Sequence, residues 1–321
     1  MGFGTIEASI TVKDKGEITM KLGTSELNTA PIALGCMRMN DLNTQEAVKV
    51  IEASAEAGIN LFDHADIYGA GASEEVFTAA LKESTIKRED VILQSKCGIR
   101  KGYFDFSKEH IQSSVDAILN RLQTDYLDIL LLHRPDALME PEEVAEAFQK
   151  LKESGKVRYF GVSNHHPHQI ELLKQYVKDD LIINQLQLSL MHTPLIDAGL
   201  NVNMQNRESV VRDSGLLPYS QLNKMTVQAW SPFQFGMIEG VFVDNPDFPE
   251  VNAALQELAD KYTVSKSAIA IAWILRHPAS IQAVIGSMNP ERIQAICKAQ
   301  DVRLTREEWY KLYRTAGNNL P

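Results

Sequence analysis

The feature that most restricts the fold of this chain is a repeated alternation. Short apolar runs of strand length are separated by longer stretches of helical periodicity, which predicts parallel strands joined by crossover helices. In one repeat Val48, Ile51 and Ala55 mark a helix face, Gly58 ends it, and Ile59-Asn60-Leu61-Phe62 runs into Asp63. A second copies this grammar with Val144, Phe148 and Leu151, then Gly155, then Val157 to Val162 running into Ser163. Between them Ile111, Val115, Ile118, Leu119 and Leu122 form a third amphipathic face, followed by the apolar run Leu127 to Leu132 and His133. Such a run suits a strand buried on both faces.

The strand candidates are Ile32 to Gly35, Asn60 to Asp63, Val91 to Lys96, Leu127 to His133, Val157 to Ser163, Ile182 to Leu188, Thr226 to Ser231 and Ile281 to Ser287. That is the number a closed (β/α)₈ TIM barrel requires. An open doubly wound sheet would usually carry a G-x-G-x-x-G turn after an early strand, and none is present. No linker divides the chain, so the expectation is a single barrel domain over 18–321 behind an N-terminal extension, 1–17. The stretch from Ser189 to Lys224 has no clear strand pattern and reads as a long functional rim loop.

Composition narrows the partners. With 42 acidic residues against 32 Lys plus Arg the net charge is -10, which argues against nucleic acid or an anionic membrane. The 3 cysteines, Cys36, Cys97 and Cys297, form no C-x-x-C pair and suggest neither a disulfide framework nor a zinc ribbon. The N-terminal stretch has no signal-peptide core, and no later segment reaches the roughly 18 apolar residues of a membrane span. A cytoplasmic protein, monomeric or a small homo-oligomer, is expected.

Chemistry enters where polar residues end the apolar runs, always at the C-terminal end. Asp63, Lys96, His133, Ser163-Asn164, Trp230-Ser231 and Gly286-Ser287 all occupy such ends. In a barrel these ends share one rim, where active sites are built. Lys96 could form a Schiff base with a carbonyl substrate, as in a lyase, or serve as a cation beside an acid. The second use needs a tyrosine nearby, and Tyr68 follows Asp63 by five residues. A phenol with a pKa of about 10 is a poor acid at neutral pH. A Lys96 ammonium paired with Asp63 is expected to lower that value. If hydride reaches a carbonyl carbon, the resulting alkoxide needs a proton. Tyr68 is then the candidate general acid and His133 the orienting hydrogen-bond donor.

The segments Phe62-Asp63-His64-Ala65-Asp66-Ile67-Tyr68-Gly69, Ser95-Lys96 and Leu131-Leu132-His133-Arg134-Pro135-Asp136 resemble the signature segments of the aldo-keto reductase superfamily. So do Gly161-Val162-Ser163-Asn164, Asn184-Gln185, Trp230-Ser231-Pro232 and Ile285 to Arg292, in family order across most of the chain. The resemblance implies a (β/α)₈ barrel and reversible, NADPH-dependent reduction of an aldehyde or ketone. The tetrad it implies is Asp63, Tyr68, Lys96 and His133.

For the cofactor, the resemblance implies that Ser163, Asn164 and Gln185 grip the nicotinamide carboxamide, hydroxyl and amides being suited to that task. Trp230 stands at the position whose aromatic ring stacks on the nicotinamide, where tyrosine is more common. Ser231 and Phe233 would follow the pyrophosphate, and Gly35, Cys36, Met37 and Arg38 would lie near the nicotinamide ribose. NADPH rather than NADH is expected from Gly286, Ser287 and Arg292. A hydroxyl, a helix start at Asn289-Pro290 and a guanidinium together suit a 2′-phosphate. The pair that often contacts adenine reads Ala295-Ile296 here, which suggests apolar or weaker adenine contacts.

Other features have plainer readings. His165, His166 and His168 lack a carboxylate or Cys at metal-ligand spacing and read as a polar loop and helix start, so no metal is expected. His64 should face away from Asp63 and pack, and Cys36 and Cys97 read as small buried thiols. Phe104, Phe106, Phe233, Phe235 and Met237 follow rim strands and could line a pocket for apolar aldehydes or ketones rather than sugar phosphates. A competing function is an NADPH-binding regulatory or redox-sensor protein on the same barrel with little turnover.

Overall fold

The computed structural model describes residues 10–12, 18–212 and 214–320. Eight parallel strands close on themselves as β1 (Ile32–Gly35), β2 (Leu61–Asp63), β3 (Ile92–Cys97), β4 (Leu127–Leu132), β5 (Val157–Ser163), β6 (Leu181–Gln187), β7 (Thr226–Trp230) and β8 (Gln282–Ile285). Each pairs with its neighbour in sequence, and β8 returns to β1 through the partners Ala283 and Ile32. This is the expected (β/α)₈ barrel. The strand limits depart from the predicted ones by a few residues at most, because the ladder stops where side chains turn to the rim.

Around the barrel lie α1 (Thr44–Glu56), α2 (Ala72–Glu83), α3 (Lys108–Leu122), α4 (Pro141–Glu153) and α5 (Pro167–Lys174). They continue as α6 (Pro194–Leu200), α7 (Leu216–Leu222), α8 (Pro249–Tyr262), α9 (Lys266–Leu275), α10 (Pro290–Cys297) and α11 (Arg306–Thr315). Local sequence sets their starts: Asn43 and Glu46 form a reciprocal capping box on α1, and Ser107 and Ser265 cap α3 and α9. The predicted apolar face of α3 is buried in full, whereas in α1 Val50 and Ala47 are buried and Val48 and Ala55 sit at the edge. Among the described residues no helix is long and apolar enough to cross a membrane.

Strand alternation separates two apolar regions. Leu34, Phe62, Leu93, Leu130, Leu132, Phe160 and Val227 face the helices in the main core. Ala33, Leu61, Ile92, Ile129, Leu131, Ile183 and Val284 take the opposite parity and cluster with Leu22. Leu22 comes from a hairpin below the barrel, where Ile18–Lys21 pairs with Asn28–Thr29 and the Gly23 N–H donates to Thr226 Oγ1 at 2.8 Å. The residues of this second parity point inward, and at the C-terminal rim they are the polar ones.

Two expectations change or pass out of view. The expected extension over 1–17 lies outside the described residues except Ile10–Val12, which pairs antiparallel with Ile18–Met20. The Ser189 to Lys224 segment is not featureless: it holds α6, α7 and a 3-10 turn at Arg207–Ser209. Long-range bonds fasten it where local propensity is weak, with Tyr313 Oη donating to Asp197 at 2.6 Å and Ser189 Oγ to the Gln234 carbonyl at 2.6 Å.

Candidate active site

Asp63 ends β2 and Lys96 lies near the end of β3, both buried inside the barrel. The Lys96 ammonium donates to both oxygens of Asp63 at 2.7 and 2.8 Å, to the His64 carbonyl at 2.9 Å and to Tyr68 Oη at 3.2 Å. Tyr68 returns over Lys96 because the loop after β2 runs beside β3. His64 N–H donates to the Gln94 carbonyl and Asp66 N–H to the Lys96 carbonyl, at 2.8 and 3.0 Å. A 3-10 turn, Tyr68–Gly71, then reverses the chain with left-handed φ at Gly69 and Ala70. His133 follows β4, held by its N–H on the Cys97 carbonyl at 2.9 Å, with its ring edge-on to Tyr68 at 6.1 Å between centroids. The four residues expected to act together converge.

Electrostatics set the protonation of Lys96, Tyr68 and His133. Burial alone would favour a neutral Lys96 amine, but Asp63 and then Tyr68 outweigh it and hold the ammonium above its usual value. A charged, thrice-engaged ammonium is poorly suited to the Schiff-base use. Burial raises the Tyr68 phenol above 10, Lys96 pulling down and Asp63 up, so the expected lowering does not prevail. Burial, Lys96 and Arg134 push His133 down to about 2, so its imidazole is neutral. Among the described residues no protein hydrogen bond engages its ring, and Nδ1 is buried without a partner.

Above this set the expected cofactor residues adjoin one another. Ser163 Oγ donates to the Gln185 carbonyl at 2.9 Å, Asn164 Nδ2 to Ser163 Oγ at 2.8 Å, and Trp230 Nε1 to Asn164 Oδ1 at 3.1 Å. Asn164 and Ser231 adopt left-handed φ of 60° and 52°, which turns the chain sharply at the ends of β5 and β7. Arg134, not singled out by sequence, lies 5.8 Å from the Trp230 ring centre. Arg38 donates to the Gly286 carbonyl and so joins the loop after β1 to the end of β8. Ser287 Oγ accepts from Asn289 N–H at 3.3 Å, Asn289 caps α10 through Arg292 N–H at 2.8 Å, and the Arg292 side chain is exposed. An indole face and a helix start with hydroxyl and guanidinium are chemically matched to a nicotinamide and a phosphate.

Some expected positions point elsewhere. The Cys36 side chain is wholly buried in the main core, so only its backbone borders the rim. Strand parity explains this: Gly35 takes the inward position and Cys36 the outward one. Met37 is exposed while Met39 is buried. Phe106 lines no open pocket; it is buried and stacks on His165 at 6.0 Å, whereas Phe104 is exposed and Phe233 and Phe235 are half-buried against the core. Ile296 is core, which removes it from any adenine contact. Burial keeps the Cys36 and Cys97 thiols well above their usual range, hence protonated.

The histidines have separate surroundings. His165 is buried with Nδ1 2.9 Å from the Ser163 carbonyl, His166 caps α5, and His64 packs edge-on against Phe77 at 4.6 Å. Sequence reasoning missed Gln94, Gln228 and Gln282, which lie inside the barrel beneath the tetrad. Their inward parity, two residues before Lys96, two before Trp230 and four before Gly286, is the signal that could have found them.

The family model for the aldo/keto reductase family matches residues 31–315. An uncharacterized oxidoreductase, YcsN, of Bacillus subtilis (strain 168) is 37% identical over 312 residues, covering 92% of this chain and 97% of that protein. A 6-dehydroglucose reductase of Agrobacterium fabrum is 34% identical, covering 91% of this chain and 95% of that protein. Among solved structures, an aldo-keto reductase from Klebsiella pneumoniae in complex with NADPH is similar with TM-score 0.73 and 25% identity, covering 91% of this chain and 93% of that one. With the barrel, the strand-end residues and these matches in agreement, the chain belongs to the aldo/keto reductase family.

Proposed function

We propose that the protein is an NADPH-dependent reductase of aldehydes and ketones in which Tyr68 is the general acid. The observation that carries this reading is the buried contact of Lys96 Nζ with both Tyr68 Oη at 3.2 Å and Asp63. Ser163, Asn164, Gln185 and Trp230 would hold the nicotinamide, and Ser287, the start of α10 and Arg292 the 2′-phosphate. NADPH bound there supplies the hydride.

This chain's own residues then supply the proton. A phenol whose pKa is raised by burial keeps its proton at neutral pH and has it available for the substrate oxygen. As that oxygen gains charge, Tyr68 Oη releases its proton and becomes a phenolate 3.2 Å from the Lys96 ammonium, where the opposite charge lowers the cost. Asp63 fixes Lys96 in place and His133, neutral and without a protein partner for its ring, is suited to orient the same oxygen. Exposed Met37, Tyr103, Phe104, Met237 and Ile238 on the rim loops favour a substrate with an apolar body.

The test is NADPH oxidation, followed at 340 nm, with a panel containing an aromatic aldehyde, an aliphatic ketone, 6-dehydroglucose and a sugar phosphate. Turnover of an uncharged carbonyl ahead of the sugar phosphate is expected. Binding of NADPH with no turnover of any member would instead favour the sensor reading.

A further inference from the structure

Four glutamines cross the interior of the barrel directly under the tetrad, and all are buried. Gln185, Gln228 and Gln282 are register partners on β6, β7 and β8, and Gln94 reaches them from β3 on the other side. Gln228 Nε2 donates to Gln282 Oε1 at 2.8 Å and to Gln94 Oε1 at 3.2 Å. Its Oε1 accepts from Gln94 Nε2 and from Gln185 Nε2, both at 2.9 Å. A carboxamide has two hydrogens to give and two lone pairs to fill, so Gln228 is saturated.

The two ends of this chain are acceptors only, and that fixes every amide in it. Gln282 meets the Ala30 carbonyl at 2.8 Å and must present Nε2 to it, which leaves its Oε1 for Gln228. Gln228 must therefore turn Nε2 toward Gln282 and Oε1 toward Gln94 and Gln185. Gln94 meets Asp63 Oδ1 at 2.6 Å with its other N–H, the same oxygen that accepts from Lys96. Gln185 is committed to giving Nε2 to Gln228, and among the described residues its Oε1 has no protein partner. A reversed amide anywhere would set N–H against N–H or oxygen against oxygen in a dry interior, where such a mismatch is costly.

The geometry points to Gln228 as a positioning residue that couples the two halves of the site. Through Gln94 it fixes the Asp63 carboxylate under Lys96, and through Gln185 it holds a carbonyl oxygen ready to accept the N–H of a nicotinamide carboxamide. Gln282 and the Ala30 carbonyl at the base of the barrel set the direction of both. This inference rests on the proposed reductase reading for what each end does.

Three variants separate the branches. Gln94→Met keeps the length and removes the Asp63 branch with two of the four bonds of Gln228, leaving Gln228 joined to Gln185 and Gln282. Gln282→Met removes the anchor, at a residue that bonds to neither Asp63 nor Gln185. Gln228→Met removes the hub, and if it fails to fold the other two still decide. Thr226→Val is the control, since Thr226 accepts from Gly23 at the same end of the barrel but lies outside the chain of amides. The measurements are the NADP+ dissociation constant by fluorescence, kcat with the best carbonyl of the panel, the pH profile of kcat, and the melting temperature.

Gln94→Met should lower kcat about tenfold, as befits the loss of a hydrogen bond to a charged group. The alkaline limb should move to higher pH, because an Asp63 charge no longer shared with Gln94 strengthens proton binding at Tyr68 and Lys96. NADP+ affinity should stay within about twofold. The other titratable groups near Tyr68 and Lys96, namely Cys36, His64, His133, Glu74 and Asp66, are untouched in every variant. Gln282→Met should weaken NADP+ binding and lower kcat together, whereas Thr226→Val lowers the melting temperature alone. A folded Gln94→Met with the wild-type kcat and pH profile, or a Gln282→Met matching Thr226→Val, overturns the inference. Should the wild type oxidise no NADPH, the reductase reading fails while the NADP+ affinities still test the Gln185 branch.

Discussion

The Lys96 ammonium stands 3.2 Å from the Tyr68 hydroxyl and is itself gripped by both oxygens of Asp63. Lys96 is fully buried in the barrel and Tyr68 half-buried at its rim, and two effects of opposite sign act on the phenol: burial raises its pKa and the ammonium lowers it, with burial the larger. On the proposed reading, Lys96 acts less by loosening the proton in advance than by stabilising the phenolate once the proton has left.

Replacing Tyr68 with Phe removes the hydroxyl and nothing that packs. Turnover should fall by about 10²- to 10⁴-fold, the range for a lost general acid, while NADPH affinity stays at the wild-type value. Steady-state kinetics and fluorescence titration check the two halves.

Lys96→Met is expected to damage the fold as well as the chemistry. It strands the Asp63 carboxylate in a buried site with Gln94 as its remaining side-chain partner. Breaking a buried pair from one side costs about 3 to 5 kcal/mol. Urea denaturation should report that loss. A double variant with Asp63→Asn should recover part of it without recovering turnover.

On the proposed reading, Arg292 separates the two nicotinamide cofactors. Its side chain is exposed at the start of α10 and makes no ion pair among the described residues, so Arg292→Ala should leave stability unchanged. NADPH affinity should drop about tenfold or more, the worth of a charge-assisted pair. NADH affinity should not move, and equal losses for both cofactors would refute the 2′-phosphate contact.

Stability should fall in mild acid. Burial depresses His64 to about 3 and His165 to about 4 in the folded chain, from 6.5. A group with a lowered folded pKa binds its proton more readily when unfolded, so each costs stability as pH falls below 6.5. At pH 5 that is about 2 kcal/mol each. Asp66 acts in the opposite sense: burial and Glu74 raise it from 3.8 to about 7, so its folded form gains relative stability as pH falls through 7. His133 and His277 are lowered in the same way, to about 2 and about 4, and with His64 and His165 they outnumber the raised Asp66 and Glu74, which leaves a net loss. Urea midpoints at pH 7 and pH 5 should show it, and His64→Phe should reduce the difference.

Gly161→Ala tests the tightness of the barrel wall. An added Cβ would meet Leu131 Cδ2 at 2.7 Å and the Ile183 carbonyl at 2.8 Å, one of them backbone that cannot turn aside. Overpacking of this kind costs about 1 to 3 kcal/mol. Thermal denaturation is the measure, and an unchanged melting temperature would mean that β4 and β6 spread freely.

The sequence by itself determined the barrel, because crossover helices and buried strands leave local, periodic signals: the apolar face of α3, the runs on β4 and β5, and the caps at Asn43 and Ser107. It also determined that Asp63, Tyr68, Lys96 and His133 belong to one rim, since each sits at or just past the end of a strand. What only the tertiary structure decided depends on distances that no window of sequence contains. Cys36, Phe106 and Ile296 fell to the core by strand or helix parity and packing. The phenol of Tyr68 rose rather than fell in pKa because burial is set by everything around it. Gln94 and Gln228 stand 134 residues apart and share two hydrogen bonds, and their amides have a fixed direction only because the Ala30 carbonyl and the Asp63 carboxylate close the two ends. Periodicity marks which face a residue takes; closure of the barrel chooses what it meets there.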